Sequence, residues 1–269
     1  MKSIAITILA LMIPSAFFSV GYTTVETIAA TTLDKTAAFG VGETLEYRIH
    51  YGIVNAGRAQ LEVTEITQHK GHPVYHMIGT GYTTGMTDLF FHVEDRYETF
   101  IDTQSWTPRR FIRDVDEGGF EIKRNVFFSP EERTAVDYSF NSDSTFVLEE
   151  GIQDIFSLFY LARSIRVDEW KKDDIYTFPV FLDHDIFPMQ FQFLGRETLD
   201  SDLGDIRCLA FAPSVQDGRV FSEEEGMTLY VSDDANRIPI RIESELSVGS
   251  IKIDITKASH LVNPLAYVK

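Results

Sequence analysis

The stretch QDIFSLFYLARSIR, residues 153–166, decides the fold. Ile155, Leu158, Phe159, Ala162 and Ile165 recur at three- and four-residue spacings, which gathers them on one face of a helix. Phe156 and Tyr160 widen that face. Glu149, Glu150 and Asp154 stand at its start and Arg163 and Arg166 near its end, the sense that suits a helix dipole. The rest of the chain reads as strands. A lone helix with an aromatic face must bury it, and the partner on offer is a sheet.

Outward from the helix, the strands come as hairpins. Upstream, Leu45, Tyr47, Ile49 and Tyr51 alternate with Thr44, Glu46, Arg48 and His50. Gly52 and residues 55–57 break the run before Ala59, Leu61 and Val63 resume it. A second hairpin flanks Glu117-Gly118-Gly119. Gly79 and Gly81 interrupt the strand at 74–82 and predict a bulge or a strong bend there. Downstream, 175–182 and 189–194 flank Asp183-His184-Asp185, and strands at 207–212, 227–231, 238–246 and 250–256 follow. Roughly a dozen strands in sequential hairpins imply an antiparallel meander too long to stay flat. The expected fold is all-β, mainly antiparallel, with one central helix: a strongly curved sheet, half-barrel or barrel-like, over residues 39–262. The 153–166 helix packs on its concave side or closes one end. A fully closed barrel with the helix inside is the variant, two sandwich domains the alternative, and residues 263–269 read as a short tail.

With 269 residues, 44% of them hydrophobic, the chain holds ample material for a core. The net charge of −17 comes from acidic residues spread along the chain, a surface that repels phosphate backbones and anionic lipid. Nucleic acid is therefore not an expected partner. The single cysteine, Cys208, allows no internal disulfide and no cysteine-rich metal site, and in the run IRCLAFAP it reads as a small buried hydrophobe. Met1-Lys2 followed by an apolar run at 4–20 reads as a bacterial secretory signal over residues 1–21, with cleavage after Gly21 and Ala16 or Ala29 as alternatives. Pro14 and the Thr-rich stretch beyond make a poor membrane anchor, and no cysteine follows for a lipid anchor. Residues 22–38 read as a loose leader. The expectation is an exported, periplasmic protein with no transmembrane segment once the signal is removed.

Several polar clusters offer candidate sites, and most have a plainer structural role. Asp183-His184-Asp185 resembles a metal triplet, but on a strand His184 points away from both acids, so a solvated hairpin turn is the better reading. His69, His72 and His76 surround a Gly-Pro turn without the cysteines or helical spacing of a zinc site. His50 and His92 lie on or beside strands, where burial together is conceivable. Asp88, Glu94, Asp95, Glu98 and Asp102 supply carboxylates for a glycosidase pair, yet 41 acidic residues produce such pairs by chance. Glu223-Glu224-Glu225 reads as a solvated loop, with weak calcium binding the other reading. No nucleophile elbow, phosphate loop or dinucleotide fingerprint occurs. No catalytic residue, metal or cofactor is assigned. Residues 85–91, GMTDLFF, set Met86, Phe90 and Phe91 beside a glycine hinge, which suits either a pocket rim or a loop tucked onto the core.

The opening hairpin, Gly42-Glu43-x-Leu45-x-Tyr47-x-Ile49-x-Tyr51-Gly52-x-Val54-x-Ala56-Gly57-x-Ala59-x-Leu61-x-Val63, resembles that of the bacterial family called domain of unknown function 3108. Asp154-x-x-Ser157-Leu158-Phe159-Tyr160-Leu161-Ala162-Arg163 looks like its central segment, and Pro239-Ile240-Arg241-Ile242 with Val248-Gly249-Ser250-Ile251 like its closing strands. The resemblance spans roughly residues 40–257. It implies an exported envelope protein with no assigned activity, and it offers no catalytic residues. The curved sheet with a helix is reminiscent of periplasmic carriers of the LolA type, an analogy of fold alone. The expected function is non-enzymatic binding or carriage of an apolar or amphipathic ligand, such as a lipid, an acyl chain or a lipoprotein tail. Phe156, Phe159 and Tyr160 would line its cavity, with Met86, Phe90 and Phe91 at the mouth. The alternative is a structural or protein-interaction component of the cell envelope with a solid core.

Overall fold

The computed structural model describes residues 26–27, 38–139, 144–165, 171–215, 226–246 and 248–268. The signal, most of the leader and the acidic run Glu223-Glu224-Glu225 lie outside the described residues. In chain order the elements are β1 (Glu26–Thr27), β2 (Thr44–Tyr51), β3 (Val54–His69), β4 (His72–Thr83), α1 (Gly85–Phe90), β5 (Val93–Asp102), β6 (Pro108–Glu117), β7 (Phe120–Ser129), β8 (Thr134–Asp137), β9 (Ser144–Val147), α2 (Ile155–Arg163), β10 (Ile175–Leu182), β11 (Asp185–Ser201), β12 (Gly204–Val215), β13 (Met227–Ser232), β14 (Pro239–Glu245) and β15 (Ser250–Ser259).

These strands form one sheet, ordered β1-β10-β11-β12-β13-β14-β15-β2-β3-β4-β5-β6-β7-β8-β9. Two antiparallel meanders, β2–β9 and β10–β15, are spliced where β15 pairs β2, with Ile253 opposite Ile49 and Ile255 opposite Tyr47. The alternation in β2 explains the sidedness: Leu45, Tyr47 and Ile49 are buried on the concave face, and the residues between them look outward. Helix α2 follows β9 at one margin of the sheet and precedes β10 near the other. It therefore lies across the hollow, as the sequence predicts.

The curl brings the margins together without a backbone ladder between β9 and β10 among the described residues. Side chains close the gap. Arg113 Nη1 donates to Asp183 Oδ2 at 2.9 Å, and His184 Nε2 lies 2.7 Å from Asp137 Oδ2. His184 stacks on Phe146 at 4.8 Å, and Phe181 meets Phe128 edge-on at 5.9 Å. The Asp183-His184-Asp185 stretch is thus a hairpin turn, with φ +49 at Asp183 and φ +73 at His184. It is more than a solvated one: it clasps the far half of the sheet.

Two other expectations need correcting. Strand β4 runs past Gly79 and Gly81 without a register shift, and the bulge lies on β3 between Val63 and Glu65. Gly79 instead makes room, because a Cβ there would meet Phe156 Cζ at 3.0 Å and Leu61 Cδ2 at 3.3 Å. Residues 85–90 form the helix α1 rather than a loop. The closing residues bond back to the sheet: Ala266 N donates to Asp234 Oδ2 at 2.8 Å, and Val268 N to Asp205 O at 2.9 Å.

Candidate functional site

Both ends of α2 are lashed to the sheet. Asp154 is its N-cap and accepts from the backbone N of Phe156 at 2.8 Å and of Ser157 at 2.7 Å. Ser157 Oγ returns the favour by accepting from Asp154 N at 2.9 Å, which completes a reciprocal cap. Thr99 Oγ1 on β5 donates to the second oxygen of Asp154 at 2.7 Å. Burial pushes the Asp154 carboxyl up to about 6, against the pull of these hydrogen bonds.

At the other end Arg163 grips Glu43, just ahead of β2, with two bonds of 2.6 and 2.9 Å. The guanidinium also donates to Asn236 O at 2.9 Å and Ala38 O at 3.1 Å, and lies 5.5 Å from the ring centroids of both Phe39 and Tyr160. Burial by itself would lower the pKa of Arg163; the adjacent Glu43 carboxylate outweighs it and holds the group above its ordinary value.

Between its two anchors the helix does not fill the hollow. A cavity of about 110 Å³ runs beside it. Phe156, Phe159 and Ala162 form one wall. Tyr47, Ala59 and Leu61 form the wall on β2 and β3, and Phe178, Met189, Phe191, Phe211, Leu229 and Ile253 the wall on the second meander. Phe159 and Ala162 are partly accessible although they belong to an internal helix, and both face this space. An engineered apolar cavity of about 150 Å³ stays dry and takes up benzene, so the space suits a short apolar segment rather than a whole acyl chain.

Of the residues singled out in the sequence, Phe156 and Phe159 line the cavity. Tyr160 does not; it is fully buried against Phe39, Phe156 and Phe159, with ring centroids 5.0 to 5.5 Å away. Burial raises its hydroxyl well above the usual range. Met86, Phe90 and Phe91 are not at the cavity either. The reason is topological: α1 joins β4 to β5, in the half of the sheet away from the wall made by β10–β15. Leu89 and Phe90 are 83% and 82% exposed, while Phe91 tucks against Gly118. Ile53 and Val54 after β2, Phe120 after β6 and Val248 after β14 are exposed at the same end of the sheet, so α1 belongs to an apolar rim.

The other candidates disperse. His72 pairs with Asp102 and Arg109, His76 with Glu98, His50 with Asp254 and the exposed His92 with Asp88. His50 and His92 are therefore not buried together. Among the described residues no three His, Cys, Asp or Glu side chains converge as metal ligands. Cys208 is buried, which pushes its thiol up to about 12. The spacing Asp154-x-x-Ser157 is a local signal from which the reciprocal cap could have been found, where the sequence reading took Asp154 only as a charge suited to the helix dipole. The partnership of Glu43 with Arg163 carried no local signal.

A curved antiparallel sheet wrapped around one helix, with an apolar cavity beside it, defines a β-barrel-like protein whose backbone ladder stays open. The chain belongs to the family described as protein of unknown function (DUF3108), whose model matches residues 46–256. Its fold is similar to that of a β-barrel-like protein of domain of unknown function DUF1849 from Brucella abortus, at TM-score 0.57 and 14% identity, over 83% of this chain and 98% of that one. A candidate lipoprotein from Parabacteroides distasonis aligns over 84% of this chain and 100% of its own, at 10% identity and TM-score 0.35, a likeness too slight to carry an argument. No curated protein matches the chain. No helix among the described residues is long and apolar enough to cross a membrane.

Proposed function

We propose that this protein binds an apolar or amphipathic ligand without chemical turnover, in the periplasm, and that α2 forms one wall of the binding site. The cavity of about 110 Å³ beside Phe159 is the observation that carries this reading. Apolar burial contributes about 0.8 kcal/mol per methylene, so shape and greasiness suffice. Native mass spectrometry of the protein as purified, together with uptake of a fluorescent alkyl probe, tests it. Ala162→Phe is expected to fill the cavity, lowering probe affinity at least about tenfold while thermal stability is retained. A wild type that takes up no probe, or a variant that takes it up equally, sinks the proposal.

The exposed rim favours a second reading, a protein-interaction component of the envelope. Leu89 and Phe90 are the side chains to change, since α1 buries none of its residues. Leu89→Ser/Phe90→Ser is expected to abolish capture of a partner that wild type cross-links in envelope extracts, with no change in unfolding temperature. Equal capture by both proteins removes this reading.

A further inference from the structure

Helix α1 is turned inside out. An amphipathic helix ordinarily lays its apolar side chains on the protein and its polar ones in water. Here a polar side chain does the fastening: Asp88 Oδ1 accepts from Thr83 Oγ1 at 2.8 Å and lies 2.7 Å from His92 Nδ1. Thr83 Oγ1 in turn accepts from Val93 N at 2.9 Å, and Thr84 N donates to Ala56 O at 3.0 Å. The end of β4, the start of β5 and the helix between them are thus tied together by polar bonds. Met86, Leu89 and Phe90 take no part in this and stand exposed on a fixed base.

The strands beside α1 carry a second anomaly. On the outer face, Glu94 of β5 stands directly opposite Asp116 of β6, and Asp116 directly opposite Glu121 of β7. Side chains so placed are roughly 5 Å apart at Cβ, and like charges there destabilise a sheet. Among the described residues no Lys or Arg forms an ion pair with any of the three. Asp116 accepts from Gly119 N at 3.1 Å, and His92, itself bonded to Asp88, comes no closer to Glu94 than 4.0 Å. One row further in the charges alternate: Arg96 is opposite Asp114, and Asp114 is opposite Lys123, whose Nζ lies 3.1 Å from it. The sheet balances its charges in that row and sets carboxylate against carboxylate at the edge.

The two anomalies adjoin. Glu94 follows Phe90 by four residues, the exposed Phe120 precedes Glu121, and the exposed Tyr82 of β4 is opposite Glu94. Apolar contact surface and negative charge therefore share one edge, which repels anionic lipid and would gain from a cation. A cationic partner would relieve on docking the repulsion that the free sheet carries. We infer that this edge docks a protein partner whose contact segment is an apolar ridge flanked by Lys or Arg side chains. This rests on the rim being a protein-interaction surface and adds the chemistry of the partner.

Model amphipathic peptides provide the test. Three helical peptides share one leucine face and carry Lys, Gln or Glu on the other, and each is titrated calorimetrically at about 0.1 M salt. The Lys peptide is expected to bind wild type at least about tenfold more tightly than the Gln peptide, and the Glu peptide not to bind. Glu94→Gln/Asp116→Asn/Glu121→Gln should lose that factor and still bind the Gln peptide. Glu132→Gln/Glu149→Gln/Asp205→Asn, which removes the same charge from exposed positions elsewhere, should keep it. The first variant should also unfold at a higher temperature than wild type, because like charges no longer face one another. If the Lys and Gln peptides bind equally, if the second variant loses as much as the first, or if the first is less stable than wild type, the inference is overturned and the rim remains a simple apolar interface. If neither affinity falls in Leu89→Ser/Phe90→Ser, the reading of the rim as an interface fails with it. Phosphatidylcholine vesicles that bind through Leu89 and Phe90, where no peptide does, would assign the edge to lipid and overturn the inference as well.

Discussion

Arg163→Met is expected to destabilise the protein by about 3–5 kcal/mol in urea unfolding. Glu43 is 1% exposed and Arg163 2%, so the substitution strands a carboxylate where water cannot reach it. The carbonyls of Ala38 and Asn236 lose their donor as well. The reasoning predicts more than a loss. Replacing a buried ion pair by apolar side chains is often neutral, so Glu43→Leu/Arg163→Met should return to within about 2 kcal/mol of wild type. A double variant as unstable as the single one would show that the pair is not what fastens this end of the helix.

Asp154→Asn is expected to stabilise the protein at neutral pH. The folded-state value of about 6 lies above the usual 3.8, so the folded protein holds this proton more tightly than the unfolded chain does. Ionisation therefore erodes stability as pH rises from about 4 to 6, by roughly 3 kcal/mol once complete, and costs nothing below that window. Asparagine keeps an acceptor for the N–H groups of Phe156 and Ser157 and can donate its amide to the Thr99 hydroxyl. The variant should match wild type near pH 4 and exceed it above pH 6 by up to that amount. A difference that does not change with pH would mean the carboxyl is not held neutral by its surroundings.

The sequence was most readable where structure is local. The alternation at 44–51, the two-glycine turn at 118–119 and the spacing of Ile155, Leu158 and Ala162 each report a neighbour within a few residues, and each reappears in the fold. Gly79 misled because a glycine in a strand has two physical causes. A bulge is local; room for Phe156, which lies far along the chain, is not. Met86, Phe90 and Phe91 misled because apolar character says that a residue avoids water and not where it goes. Asp183 and His184 were recognised as a turn, but the partners that give the turn its role, Arg113 and Asp137, come from strands far upstream. Periodicity gives the buried face of a helix but not the fit against that face, so the void beside Phe159 was out of the sequence's reach.

The splice between β15 and β2 has a consequence in time. Leu45 faces Ala258, more than two hundred positions later, and the two meanders share no earlier neighbouring pair of strands. Contacts so distant along the chain slow folding, because the loop they close must be ordered before it is rewarded. While the last strand is still to come, β2 and β14 are both open edges in what will be the middle of the sheet. The newly made chain is thus two unfinished meanders, most vulnerable to wrong pairing in the interval before its final strand arrives.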